Sequence, residues 1–223
     1  MKQMMTQLAA TALAVVAFQP AAQAEGLTLG GLRLATDYIA GGVSQNAEKP
    51  AISGFIEHMF GNGIYGGLWF SQIDYSDWGM PDSFEIDIYG GIRGEIGRLS
   101  YDLGYFRYYY DSYGFDYDEV ILETRYAVTD RLGLGAKIKK PFGGRYEDGT
   151  LYGPIFGFGL SPTTFLSGQF LANDVDSREL WDIGVSHKLN DQVAVEIRYH
   201  DTNDANPLLV ASIGWKTRLF SGD

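Results

Sequence analysis

The side chains able to do chemistry in this chain are mostly charged ones of both signs, spaced so that they share a face. Arg33, Asp37, Glu57, Glu85, Asp87, Arg93, Glu95, Asp102, Glu123, Arg125, Lys137, Lys139, Asp182, Lys188, Glu196 and Arg198 sit at alternate positions within runs whose other residues are apolar. Arg93, Arg125 and Arg198 each have an acid two residues away, the spacing that puts both groups on one side of an extended strand. Charges of both signs facing an enclosed space have two outcomes. They flank water and set a transverse field across a passage, or they cross-link into a salt-bridge plug. Acids and bases occur in similar numbers, which sets no preference for anions or cations.

Enzymatic chemistry has less to work with. The three histidines are His58, His187 and His200. His200 alternates with Arg198 and Glu196, next to Asp201-Thr202-Asn203-Asp204, and an Asp and His pair there could activate water. A serine beside His58 could act in a lipase, whereas His187 shares a face with Ile183 and Val185 and belongs to a rim. There is no Gly-x-Ser-x-Gly and no histidine pair at zinc spacing. The Asp201–Asp204 run has oxygen ligands but not a full calcium-loop pattern. No enzyme, metal or cofactor is expected.

The elements that must position these charges read as strands. Period-two alternation broken by turn clusters runs from Leu27 to Phe220, clearest at Phe84-Glu85-Ile86-Asp87-Ile88 and at Val193 to Tyr199. It predicts twelve strands: Leu27–Tyr38, Pro50–Met59, Ile64–Asp74, Ser83–Glu95, Ser100–Tyr110, Asp118–Val128, Leu132–Lys140, Leu151–Leu160, Thr164–Ala172, Glu179–Leu189, Val193–Asp201 and Pro207–Phe220. Alternation alone does not separate a sandwich from a barrel; the connections do. Tight junctions (Gly61–Gly63, Gly97–Leu99, Thr129–Arg131, Ser161–Thr163, Asn190–Gln192) alternate with longer ones (Ile39–Lys49, Tyr75–Asp82, Asp111–Tyr117, Gly143–Thr150). Such alternation is expected of an all-β, antiparallel up-and-down transmembrane β-barrel, with tight turns and both termini periplasmic. Aromatics at strand ends, among them Tyr75, Trp78, Tyr108, Tyr109, Tyr110, Tyr113, Phe115 and Tyr117, fit an interface girdle or a stacking patch at the mouth.

Composition agrees with export to the outer membrane of a Gram-negative bacterium. Lys2, the apolar run Leu8–Phe18, Pro20 and Ala22-Gln23-Ala24 form a cleavable signal peptide over residues 1–24, leaving residues 25–223 as the barrel domain. The 223 residues contain no cysteine, carry a net charge of −11 and are rich in Gly (29) and Tyr (15). That acidity argues against a nucleic-acid partner. The partners expected are outer-membrane lipid and lipopolysaccharide, the barrel-assembly machinery and small hydrophilic solutes. Acidic loop residues Asp77, Asp82, Asp116, Asp118, Glu147, Asp148, Asp174 and Asp176 could hold divalent cations that bridge lipopolysaccharide phosphates. Near the C-terminus, Leu209, Ala211, Ile213, Trp215 and Leu219 form the expected lipid row, with Phe220 on the face of Lys216 and Arg218.

One stretch is more specific. Ala35-Thr36-Asp37-Tyr38, Gly41-Gly42-Val43-Ser44-Gln45, Lys49-Pro50-Ala51 and Gly63-Ile64-Tyr65-Gly66-Gly67-Leu68-Trp69-Phe70-Ser71 resemble the opening of the TorF-like porin family, also known as Gcw_chp, a domain of unknown function. Thr36 stands where serine is usual, and Gly41 where arginine is common. The resemblance implies an outer-membrane barrel with a pore function and supplies no catalytic or ligand residues. Physically, the glycines permit positive φ, and Ser44 and Gln45 can bond backbone groups, so the stretch reads as a structured loop shaping the mouth, or else as a solute-recognition site. The function expected is an outer-membrane porin passing small hydrophilic solutes through a narrow lumen of mixed charge. The alternatives are a closed structural or adhesive barrel, and a hydrolase acting at the rim.

Overall fold

The computed structural model describes residues 26–76, 79–144 and 149–221. Residues 1–24, where a signal peptide is expected, together with Asp77, Trp78, Glu147 and Asp148, lie outside the described residues. Twelve long strands close into one antiparallel barrel: β1 (Leu27–Ala35), β4 (Ala51–Met59), β5 (Ile64–Gln72), β6 (Phe84–Ile96), β7 (Leu99–Tyr110), β8 (Gly114–Ala127), β9 (Leu132–Phe142), β10 (Leu151–Gly159), β11 (Thr164–Asn173), β12 (Glu179–Lys188), β13 (Val193–Thr202) and β14 (Ala205–Ser221). Each pairs with its neighbours in the chain, and β1 pairs with β14 to close the ring. Closure leaves no unpaired edge. The remaining pair, β2 (Ile39–Ala40) and β3 (Val43–Ser44), forms a small hairpin inside the first connection.

The barrel alternates sharply. On β6, Ile86, Ile88 and Ile92 are exposed on the exterior, while Glu85, Asp87 and Arg93 are buried inside. The same division holds on β13, where Ile197 faces out and Glu196 and Arg198 face in. Leu32, Leu34, Ile56, Leu68, Leu103, Leu134, Ile138, Ile183, Val185 and Ile213 continue the apolar exterior around the ring. A monomer in water rarely exposes such a belt, whereas a barrel solvated by lipid requires one. Among the described residues no helix is long and apolar enough to cross a membrane.

The two ends differ as the sequence pattern predicts. Three of the tight turns use one device. The first polar side chain of each accepts two backbone N–H bonds: Thr129 from Arg131 and Leu132 at 3.1 and 2.9 Å, Ser161 from Thr163 and Thr164 at 3.2 and 3.0 Å, and Asn190 from Gln192 and Val193 at 2.8 and 2.9 Å. Such turns satisfy the backbone locally and fix the register of the flanking strands. Leu27 pairs with Ser221, so both ends of the barrel sheet lie on the tight-turn side.

Three expectations change. β1 stops at Ala35, because the Asp37 carboxylate accepts the Tyr38 N–H at 2.7 Å and turns the chain out of the sheet. The expected loop Asp111–Tyr117 shrinks to a turn, since β8 already begins at Gly114. Phe220 does not share a face with Arg218. Thr28 pairs with Phe220 while Leu29 pairs with Arg218, so Leu219 is the extra residue of a β-bulge. The bulge resets the alternation, and Leu219 and Phe220 are both exposed on the exterior.

Candidate functional site

The residues of the first-loop stretch meet in space and build a strap across the wide-loop end. Gly41 and Gly42 both have positive φ (59° and 85°), as a type I′ turn requires, and form the tip of the β2–β3 hairpin. The Gln45 side-chain amide donates to the carbonyls of Ala40 (3.2 Å) and Val43 (3.1 Å), and its oxygen accepts the Tyr75 hydroxyl at 2.7 Å. The Ser44 hydroxyl donates to Asp37 at 2.9 Å and accepts from the Glu48 N–H at 2.8 Å. Asn46 donates to the carbonyls of Lys49 and Pro50, each at 3.0 Å. Lys49 bonds Asp74 at 2.6 Å, tying the strap to the end of β5. The far half of the motif closes the unit from below, with the Tyr38 and Trp69 ring centroids 5.3 Å apart.

The strap reaches the opposite lining. A Cβ on Gly42 would stand 3.1 Å from Thr202 Cβ and 3.2 Å from Leu180 Cβ, so the hairpin tip abuts β12 and β13. Beneath it lies a cavity of about 180 Å³, bordered by Tyr38 to Gly42 and Gln45 from the strap and by inward side chains of the barrel. At about 15 Å³ for each water centre, that space holds roughly a dozen waters.

The charges bordering this interior are organised into networks. In one, Arg93 forks onto Glu57 at 2.9 and 3.1 Å and approaches Asp102 at 3.3 Å, with its guanidinium 3.5 Å from the Tyr65 ring centroid. Tyr65 in turn donates to Asp102 at 2.6 Å. In a second, Arg198 bonds Asp182, Glu196 (3.1 Å) and Ser167 (2.8 Å), and Arg33 joins Glu196 at 3.6 Å. In the third, Glu123 holds Arg125 at 2.5 Å and Lys137 at 3.5 Å, while Lys139 reaches Glu119 at 3.4 Å. Among the described residues no cation lies within ion-pair distance of Glu85 or Asp87. These acids face the Tyr38 phenol instead.

Most of the sequence-predicted interior set therefore converges on one space. Three members sit elsewhere in it. Asp37 is a strap residue, and one of its carboxylate oxygens accepts both the Tyr38 N–H and the Ser44 hydroxyl. Glu95 shares the inward phase but is exposed at the tight-turn rim, and Lys188 lies near that rim with Phe165. The sequence reading missed Glu119, which follows Asp118 without clean alternation, and the aromatic lining. Tyr108 and Tyr117, expected in an interface girdle or a stacking patch at the mouth, turn inward, and their rings stack at 4.4 Å. Tyr75 is likewise a buried strap anchor rather than a girdle residue.

The histidines separate cleanly. His58 and His187 face outward, and each meets a threonine hydroxyl at 2.9 Å (Thr28 and Thr164) instead of a serine. His200 borders the cavity opposite Asp182, its cross-strand partner, and Asp201 falls on the other face. Among the described residues no group of three or more acids and histidines could hold a metal ion. Several predicted cation-holding acids are already engaged. Asp82 accepts the N–H groups of Ser112 and Tyr113, Asp174 accepts that of Thr150, and Asp118 pairs with Arg107 at 2.9 Å. Outside the strands, burial pushes the Asp37 carboxyl above its ordinary range, against the bonds from Ser44 and Tyr38.

A closed barrel with an apolar exterior and a charged, partly hollow interior defines the porin-like class of fold. The chain belongs to the bacterial Gcw_chp family, a family of unknown function, whose sequence profile matches residues 21–219. No curated protein matches it by sequence. Among solved structures it is similar to the KdgM porin (TM-score 0.64, 11% identity, 84% of this chain and 98% of the other). It is also similar to the NanC porin (0.54, 9%, 87% and 100%) and to an outer membrane channel from Pseudomonas putida F1 (0.54, 9%, 89% and 97%). At these identities the likeness is one of fold.

Proposed function

We propose that the protein is an outer-membrane porin that lets small hydrophilic solutes diffuse through the barrel, under the strap. One observation carries this reading: a water-sized interior of about 180 Å³ persists between the strap and the charged wall, although most of the charges are cross-linked. A barrel built only as a plug would gain packing by filling that space. The apolar belt supports lipid as the exterior solvent, residues 1–24 serve as the export signal, and the tight turns and termini lie in the periplasm. The resemblance of the first loop to TorF-like porins belongs to the same reading. The acids Glu85 and Asp87, with no paired cation among the described residues, bias the passage toward cations. On this reading, exterior basic groups such as Arg107 and Lys140 would meet lipopolysaccharide phosphates.

Proteoliposome swelling tests this. Refolded protein, verified as a barrel by a heat-dependent shift on a denaturing gel, is expected to admit small neutral solutes and to exclude larger ones. Vesicles that fail to swell with any solute, while the gel shift is intact, would favour a closed structural barrel held by the same strap and ion pairs.

A further inference from the structure

The interior has two unlike walls. On β5 to β8 a series of inward aromatic rings runs beside the inward charges. Tyr65 and Tyr89 lie 6.2 Å apart, Tyr89 and Phe106 5.4 Å, Phe106 and Tyr108 6.5 Å, and Tyr108 and Tyr117 4.4 Å, the last three pairs within about 21° of parallel. Room for this slab is made by glycine. Tyr65 pairs across the sheet with Gly91 and Tyr89 with Gly67, and a Cβ on either glycine would fall 2.7 or 2.6 Å from the facing hydroxyl. Phe106 is half-buried in the middle of the series and borders the cavity with no hydroxyl of its own. Facing the same cavity, Gln169 and Asp182 present amide and carboxylate groups, joined at 2.6 Å.

We propose that this cavity is a binding subsite for a neutral sugar ring, stacked on Phe106 and hydrogen-bonded along its edge by Gln169, Asp182 and His200. A pyranose offers an apolar C–H face and a rim of hydroxyls, and the two walls present the complementary surfaces. An acidic sugar is disfavoured because the Arg and Lys side chains lining the cavity are already held: Arg93 by Glu57, Lys137 by Glu123, Lys139 by Glu119. A carboxylate entering there would also meet Glu85 and Asp87. The assignment rests on the interior being reachable by solute, as the porin reading holds, but not on its conducting.

The test uses maltose, with digalacturonate as the acidic comparator, on the full mature barrel. Current block in planar bilayers is read alongside fluorescence of a single-tryptophan protein (Trp78→Phe, Trp181→Phe, Trp215→Phe) that keeps Trp69 near the cavity. Maltose is expected to block current and change the fluorescence saturably, and digalacturonate to do neither at the same concentration. Phe106→Ala should raise the half-saturating concentration about tenfold, equivalent to ~1.4 kcal/mol, and Phe106→Tyr should restore it, which also controls for folding. A conducting channel with no maltose effect on current or fluorescence overturns the sugar site and leaves the porin standing. Saturable fluorescence without conductance supports the site and defeats the porin reading. Equal responses to maltose and digalacturonate overturn the neutral preference.

Discussion

The Tyr75 hydroxyl donates to the Gln45 side-chain oxygen at 2.7 Å, inside the barrel mouth and buried from solvent. Through this bond the chain just past β5 holds the hairpin that crosses the barrel mouth. Lys49 and Asp74 repeat the connection on the exposed side, at 2.6 Å. A buried neutral hydrogen bond contributes about 1 kcal/mol, and leaving its partner unsatisfied costs more, so the inner tie dominates.

Tyr75→Phe combined with Gln45→Ala should therefore loosen the strap without unfolding the barrel. The expected outcome is larger and noisier single-channel current than wild type. Lys49→Ala alone should change it little, since solvent screens an exposed ion pair. Single-channel amplitudes compare the three directly. An unchanged amplitude in the double variant would mean the strap does not limit flow.

Arg93 sits between Glu57 and Asp102 with both faces occupied. Removing it strips the buried Glu57 carboxylate of this cation and leaves it beside the half-buried Asp102, so Arg93→Ala should destabilise the barrel by about 3–5 kcal/mol. Urea unfolding in lipid vesicles measures this. Arg33→Ala, which removes a longer contact of 3.6 Å, should cost distinctly less.

Selectivity should follow Glu85 and Asp87, the two interior acids with no paired cation among the described residues. Glu85→Gln with Asp87→Asn removes negative charge beside the cavity and is expected to move the reversal potential in a salt gradient away from cation preference. A reversal potential identical to wild type would show that these acids do not face the permeating ions.

Asp37 carries a pH dependence of definite sign. Its carboxyl, pushed above the ordinary 3.8 by burial in the strap, holds its proton more readily there than when the strap is open. Strap closure is thus most favoured below that ordinary value and weakens as pH rises through the raised one. Protection of the residue 39–46 amides, taken relative to the intrinsic base-catalysed exchange rate, should fall over that rise. Asp37→Asn should flatten the dependence.

How far the sequence reaches is visible in particular residues. Strict alternation at Phe84–Ile88 and Val193–Tyr199 identifies two walls and their inward charges, and the Thr129, Ser161 and Asn190 turns announce the tight end. Where alternation breaks, the pattern misleads. The bulge at Leu219 sends Phe220 outward, a reversal that no spacing rule marks. Tyr108 and Tyr117 belong to the interior because of register between β7 and β8, and a tyrosine suits an interface and a lumen equally well. The strap motif reads as a structured loop, but its seat against Leu180 and Thr202 arises from chain closure far along the sequence.

Single-channel recording of the refolded wild-type protein in a planar bilayer tests the central claim most directly. The account predicts discrete, small conductance steps that favour cations and grow when the Tyr75–Gln45 tie is removed. A barrel with an intact heat-dependent gel shift that gives no steps, with or without that tie, would contradict it.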